Sequence, residues 1–360
     1  MKVEFLWDAS GAAAKAANAL VQTWPSASIM QHAGWPQIAL PSRLQFYRYF
    51  ICVDDDDQIA SAGCVRLTRL FPGRFSASLR RGPCTRSPAD IAKVMPALEQ
   101  ALYRLGAISV AVNPHWEDDA ARDCEEILAR GGYAPVSEDE QTLPTATALI
   151  NLAAPEDALL RSFSQRRRRD LRSADGNGME VRPVATLSEA MRLSGIMRDM
   201  ARTTGLEIDS QHDFTHHFRF LETHPEMGTI TAALVNGEVT GGAVTYREAH
   251  RSYALLVATS PDMRGARSTL LYWQNILDAR RQGSAELDLV GYPDPRRVAS
   301  GEAAGRQEFK DSFRPRIVTL PPIMKKILRP AEAAAYRELR QLYRRSRWKT
   351  RLKAMLHRSG

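Results

Sequence analysis

The chain has 360 residues, a formal net charge of +8 and a pI near 9.4. Its 44% hydrophobic and 25% charged content excludes a disordered polymer, and no apolar run approaches the ~20 residues of a membrane-spanning helix. The length exceeds one ordinary core and calls for two domains, while the basic balance predicts polyanion partners: tRNA, phosphorylated substrates or an anionic membrane surface.

The opening MKVEFLWDASGAAAKAANALV lacks a basic segment followed by a clean apolar block, so no signal peptide is expected. Its alanines predict a first helix over about 10–22. The four cysteines, Cys52, Cys64, Cys84 and Cys124, form no C-x-x-C pair. They fit reduced, buried residues of a cytoplasmic protein.

The stretch SIMQHAGWPQIALPSR reads as a loop containing Gln31 and Trp35. Strands follow at QFYRYFICV and IASAGCVRL, joined by the acidic turn Asp54 to Asp57. A third strand, RFSASLRRG, runs to Arg81-Gly82-Pro83. A helix over 88–105 stops at Gly106, a C-cap position. The strand ISVAVNP, the helix DDAARDCEEILARGG and strands around YAPV and TATALINL complete the first half.

From Ala154 the order begins again. A helical pair carries an arginine run, then come strand MEVRPV and helices at SEAMRLSGIMRDMARTT and DFTHHFRFLETH. Strands ITAALV, EVTGGAVTY and SYALLVATS follow, the first two joined by Asn236-Gly237. A helix over 268–281, Gly283 and the strand AELDLVG close the unit. Both halves therefore run strand, polar turn, strand, strand, helix ended by Gly, short apolar strand. This is a duplication at domain scale and predicts an α/β architecture of two mixed-sheet domains, 1–153 and 154–321. Residues 322–360 read as a basic extension, with PPIMKKILRP as a short helix between prolines and then a helical tail. The last twenty residues hold seven Lys or Arg and no acid.

In order and spacing, SIMQHAGW, Arg81-Gly82-Pro83, NPHW, QTLPTATALINL, LLRSFSQRRRRDLRSADGNGMEV, LDLVG and EFKDSF together resemble the Fem family of aminoacyl-tRNA-dependent peptidyltransferases. The resemblance covers nearly the whole chain. It implies two N-acetyltransferase-like (GNAT) domains in tandem and, because SGIMRDMARTTGLEIDSQHDF is short, no long helical arm. It implies aminoacyl transfer from aminoacyl-tRNA, as co-substrate and with no further cofactor, to the amine of a peptide or muropeptide-like acceptor in peptidoglycan biosynthesis.

The residues themselves fit that chemistry. Lys310 lies between Phe309 and Phe313 just after a strand end at Gly291 and Tyr292, where a fixed ammonium with aromatics excluding water stabilises an oxyanion. The bland alternative is a surface lysine on an amphipathic turn. The resemblance assigns Lys310 to donor binding and catalysis. In Gln165 to Arg172, Arg166 and Arg169 share one helix face and Arg168 and Arg172 another. Arginine favours bidentate phosphate contact, although such runs are commonly solvated faces. The family arginine here corresponds best to Arg168 or Arg169, with Arg172 beside them.

On the acceptor side the resemblance points to Gln31, Trp35, Arg81, Gly291 and Tyr292, with core packing an equal reading for Trp35. Two departures weigh against a UDP- or lipid-linked muropeptide. Ala33 stands where a basic residue would hold pyrophosphate, and Cys84, Thr85 and Arg86 stand where an acid is common.

His212, His216 and His217 lack an acidic or Cys partner at ligand spacing, so an ordinary helix face and no metal are expected. The segment 260–267 resembles an acetyl-CoA pyrophosphate loop, but Asp262 breaks its spacing. An acyl-CoA-dependent N-acyltransferase therefore remains open. So does a non-catalytic RNA- or membrane-binding protein: the tail with Tyr343 and Trp348 suits RNA, a packed amphipathic helix or a helix on the inner membrane leaflet. No G-x-x-x-x-G-K-[ST] occurs, in keeping with a donor already activated.

Overall fold

The computed structural model describes residues 1–7, 9–174, 178–263, 266–294 and 301–342. In chain order the first part comprises β1 (Lys2–Leu6), α1 (Ala12–Val21), α2 (Trp35–Ile38), β2 (Gln45–Val53), β3 (Ile59–Phe71), β4 (Arg74–Leu79), α3 (Ile91–Leu105), β5 (Ala107–Val112), α4 (Asp118–Arg130), β6 (Ala134–Pro135) and β7 (Ala146–Asn151). The second comprises α5 (Glu156–Ser162), α6 (Gln165–Ala174), β8 (Met179–Pro183), α7 (Leu187–Thr204), α8 (Phe214–Thr223), β9 (Gly228–Val235), β10 (Glu238–Glu248), β11 (Arg251–Thr259), α9 (Ala266–Arg281), β12 (Glu286–Asp288), α10 (Gly301–Asp311), β13 (Arg316–Thr319) and β14 (Met324–Ile327). A last helix covers 330–342. Among the described residues no helix is long and apolar enough to cross a membrane.

Two seven-stranded sheets carry the duplication. Their orders are β1-β2-β3-β4-β5-β14-β6 and β13-β7-β12-β11-β10-β9-β8. In each, an antiparallel meander leads through a helix to a parallel neighbour, β4 to β5 and β11 to β12. Local chemistry fixes the turns: Asn236 and Gly237 adopt φ 52 and 81, and Gly106 ends α3 at φ 100.

Two expectations are corrected, and two strands are new. The strand 146–151, placed in the first domain, pairs with β12 and β13 in the second sheet. PPIMKKILRP is not a helix: Met324–Ile327 forms β14 against β5. Prolines at 321, 322 and 330 leave too few residues for a stable helix, and β14 closes a ladder that β5 would otherwise leave open. Lys2–Leu6, ahead of the first helix, is an unforeseen strand on β2, and Arg316–Thr319 is an unforeseen edge strand. The tail with Tyr343 and Trp348 lies outside the described residues.

A continuous apolar core spans both halves, with Trp35, Ile38, Tyr49 and Ala62 packed with Phe220, Tyr246 and Leu256. Polar ties cross the same seam. Glu248 accepts the Ile29 amide at 2.6 Å, Arg80 donates to Gln211 at 3.0 Å, and Arg251 pairs with Glu117. The four cysteines are free and buried.

Candidate functional site

Strands β11 and β12 pair in parallel only at Arg251–Glu286, Ser252–Leu287 and Tyr253–Asp288. β11 then continues to Thr259 while the chain after β12 stays with β7: the Leu289 amide bonds Ala148 at 2.9 Å and the Tyr292 amide bonds Ala146 at 3.0 Å. The two strands therefore part, and a wedge opens at their carboxyl ends, where α/β sheets bind ligands. The first sheet has no such gap. There β4 and β5 pair along Phe75–Leu79, and Asn113 extends the contact to Gly82 at 3.2 Å.

Lys310 stands at this opening. It is 8% exposed, and its ammonium donates to the carbonyl of Val290 and, at 2.8 Å, to that of Gly291. An ammonium has three N–H donors. Two are held here, and the third has no acceptor among the described residues. Burial pulls the Lys310 pKa down to about 8, with the Asp288 carboxylate opposing that fall and Arg306 adding to it. The lysine is thus fixed, partly dehydrated and mostly charged near neutral pH.

The aromatics do not serve it as expected. Phe309 near the end of α10 and Phe313 in the turn that follows it pack edge to face, ring centres 5.2 Å apart, and Lys310 is turned ~100° from Phe309 about the helix axis. Their rings meet Tyr272 at 4.9 and 5.9 Å, and Phe313 meets Phe163 at 5.2 Å. The cation over them is Arg167, 4.6 Å from the Phe309 ring centre. What Lys310 meets instead are the carbonyls of Val290 and Gly291 and the charge of Asp288. Tyr292 is also inward, its hydroxyl donating to Asp311 at 2.7 Å.

On α6 the buried arginine is Arg167, not one of those singled out. It is 4% exposed and donates to Ser312 at 2.7 Å, Asp170 at 2.8 Å and Thr269 at 2.5 Å. Its partner on the helix face is Leu171, four residues on and the one leucine of the run. That leucine is the sequence signal that was missed. Arg168 is half-buried and bonded to the Arg161 carbonyl, whereas Arg169 and Arg172 are exposed and leave a basic outer face.

The first-half residues are core. Gln31 is fully buried and donates to the carbonyls of Cys64 and Arg80 at 3.1 and 2.9 Å. It fits only because Gly63 and Gly82 lack a Cβ: one built there would lie 2.2 and 2.4 Å from the Gln31 side chain. Trp35 is 1% exposed between the two halves. Arg81 is buried at φ 54 and donates to Pro144 at 3.1 Å. Beside Trp35, however, lies a cleft of about 1010 Å³ whose wall includes Ala33, Gly34, Lys15, Arg48, Tyr47 and Tyr49. His32 also lines it, kept neutral by burial with its pKa down to about 4.

Sequence reasoning also missed Asp288 and Glu248. Both are buried at the seam, and burial raises both, Glu248 to about 7. An acid inside the apolar LDLVG was the available sign. The helix histidines are structural: His217 bonds the Tyr246 hydroxyl and the Gln211 carbonyl, and no metal-ligand cluster occurs among the described residues.

A model of the acetyltransferase (GNAT) domain matches residues 161–311. Among solved structures the chain is similar to FemX, with 14% identity, a TM-score of 0.77, and 93% of this chain and 99% of that one covered. It is also similar to a tandem GNAT protein from the clavulanic acid biosynthesis pathway (12% identity, TM-score 0.50, 91% and 99% covered). A conserved protein of unknown function from Bacteroides thetaiotaomicron VPI-5482 is a third such structure (10%, 0.58, 87% and 97%). No curated protein matches the chain. At these identities the likeness shows the fold, a FemX-like tandem GNAT architecture.

Proposed function

We propose that the chain is an aminoacyltransferase that moves an aminoacyl group from charged tRNA to the amine of a peptide-like acceptor. The GNAT match and the FemX-like fold support an acyl- or aminoacyl-transferase. The observation that carries the finer reading is Lys310, held at the wedge with one N–H left over. The acceptor amine attacks the ester carbonyl, and the C–O bond to the ribose breaks. The amine's proton is lost and the ribose oxygen gains one, so no covalent enzyme intermediate is needed. Negative charge passes through the carbonyl oxygen, where the free N–H of a fixed ammonium acts most strongly in the transition state.

Arg167 ties α6 to Thr269 on α9 and to Ser312 just beyond α10, the helix that carries Lys310. The exposed arginines of α6 suit the phosphates of the tRNA acceptor end. The cleft beside Trp35 suits the acceptor. Its wall carries the bases Lys15 and Arg48 as well as Ala33, so it suits a peptide-like body with or without a phosphate group.

Acyl-CoA as donor is the second reading, favoured by the domain match over 161–311. The deciding experiment incubates the protein with mixed charged tRNAs, cell extract and, separately, acetyl-CoA, with mass spectrometry of the products. RNase treatment should abolish transfer, and acetyl-CoA should not restore it. Transfer with acetyl-CoA alone would reverse the order of the two readings.

A second expectation concerns salt. Replacing Arg168 and Arg169 together with Ala should flatten the dependence of log K for tRNA on log salt by roughly one to two units, since each lost phosphate contact releases fewer counterions. Unchanged slope and affinity would make the run a solvated face.

A further inference from the structure

The carboxylate that ends β12 does more than neutralise nearby arginines. Asp288 is 1% exposed. Its Oδ1 accepts the Val290 amide at 2.7 Å and the Thr147 hydroxyl, while Oδ2 has no partner among the described residues. Val290 stands at φ 55 and Gly291 at φ 57. Glycine adopts such a backbone freely, but a β-branched residue does so only when its surroundings impose it. What that backbone achieves is visible in its carbonyls: both reach the one ammonium of Lys310.

The geometry points to Asp288 as the positioning residue for Lys310: by gripping the Val290 amide, it holds the left-handed turn whose two carbonyls seat the ammonium. The inference rests on the aminoacyl-transfer reading only for what the seated ammonium does. Other charges bear on the pair. Asp288 is faced by Arg251 and Tyr253 from β11, Arg81 from the segment after β4, Glu248 from the end of β10 and Lys310 from α10. Lys310 is faced by Asp288 and, on its own helix, by Arg306.

The chain has eight lysines, so the Lys310 side chain can be followed by NMR of the full protein carrying lysine labelled with carbon-13 at Cε. Its resonance is identified by its loss in Lys310→Arg. The wild-type midpoint should lie at about 8. Asp288→Asn keeps an acceptor for the Val290 amide and removes the charge that favours the ammonium, so the midpoint should fall by about one unit. The alkaline limb of single-turnover transfer should move with it. At pH 7.5 the charged fraction, and kcat with it, should drop about threefold, with the KM for charged tRNA unchanged. Thr147→Val keeps the charge but removes one of the two hydrogen bonds that orient the carboxylate, so the turn should be held less firmly and transfer should fall without a fall in the midpoint.

Asp288→Ala also removes the acceptor of the Val290 amide, so the Lys310 Cε resonance should sharpen towards that of a mobile lysine while Asp288→Asn keeps it broad; equal linewidths in the two folded variants overturn the assignment. If neither variant folds, a Lys310 resonance and a transfer rate both unchanged in Thr147→Val overturn it instead. Absence of transfer by wild type with any charged tRNA would remove the functional reading while the lysine resonance still decides the role of Asp288.

Discussion

Lys310→Met should lower single-turnover transfer from charged tRNA by ~100- to 1,000-fold, the usual loss when one electrostatic contact to a developing oxyanion is removed. The KM for charged tRNA should change far less, because the contact forms with charge that appears only in the transition state. The fold should survive. Methionine keeps an apolar stem in the same space, and the loss is confined to the Val290 and Gly291 carbonyls, which forfeit their donor. Arginine at 310 should restore little, since a flat, broad guanidinium does not fit a seat made by two successive carbonyls. The pH profile supplies an independent check. Lys310 is charged below about 8 and neutral above it, so wild-type transfer should fall as pH rises through that value. The residual activity of Lys310→Met should lack that limb. Near-normal transfer by a well-folded Lys310→Met protein would take the lysine out of the mechanism.

Much of the fold was legible because its signals are local. The alternation in QFYRYFICV gives β2 at Gln45–Val53, and the Asn236-Gly237 turn joins β9 to β10 as expected. What escaped depends on partners far away in sequence. β14 is a strand because β5, over two hundred residues earlier, needs a neighbour, and nothing within PPIMKKILRP says so. β7 resembles any short apolar strand, and only its pairing with β12 and β13 reveals which sheet it joins.

The site divides in the same way. The position of Lys310 after a strand end marked it from the sequence. Its real neighbours are backbone carbonyls and a buried acid, whereas flanking aromatics are prominent in a sequence and carbonyls are invisible. Gln31 and Trp35 are core residues: Gln31 holds the carbonyls of Cys64 and Arg80, and the cleft nearby is lined instead by residues such as Ala33, Tyr47 and Arg48.

The arginine run yields the other large effect. Arg167→Ala should destabilise the protein by about 3 kcal/mol, because it strips a buried guanidinium from three partners at once and leaves Asp170 without its cation. Arg169→Ala, on the exposed face, should stay within about 0.5 kcal/mol. The consequence reaches the chemistry, since Ser312 directly follows α10 and Arg167 is what ties that end to α6 and α9. Releasing it lets the helix carrying Lys310 shift, and misplacement by ~1 Å is enough to cost on the order of 100-fold in rate. Transfer by Arg167→Ala should therefore fall even under conditions where the variant is folded, while the salt slope of tRNA binding stays at the wild-type value. Lysine should not rescue either property, because a single ammonium cannot reproduce bonds sent in separate directions by the guanidinium fork. Urea unfolding beside single-turnover transfer separates the two losses. A stability change under about 1 kcal/mol would show that α10 is held without the arginine, by Phe309 and Phe313 against Tyr272 and by the Ser164 amide on the Ser312 carbonyl.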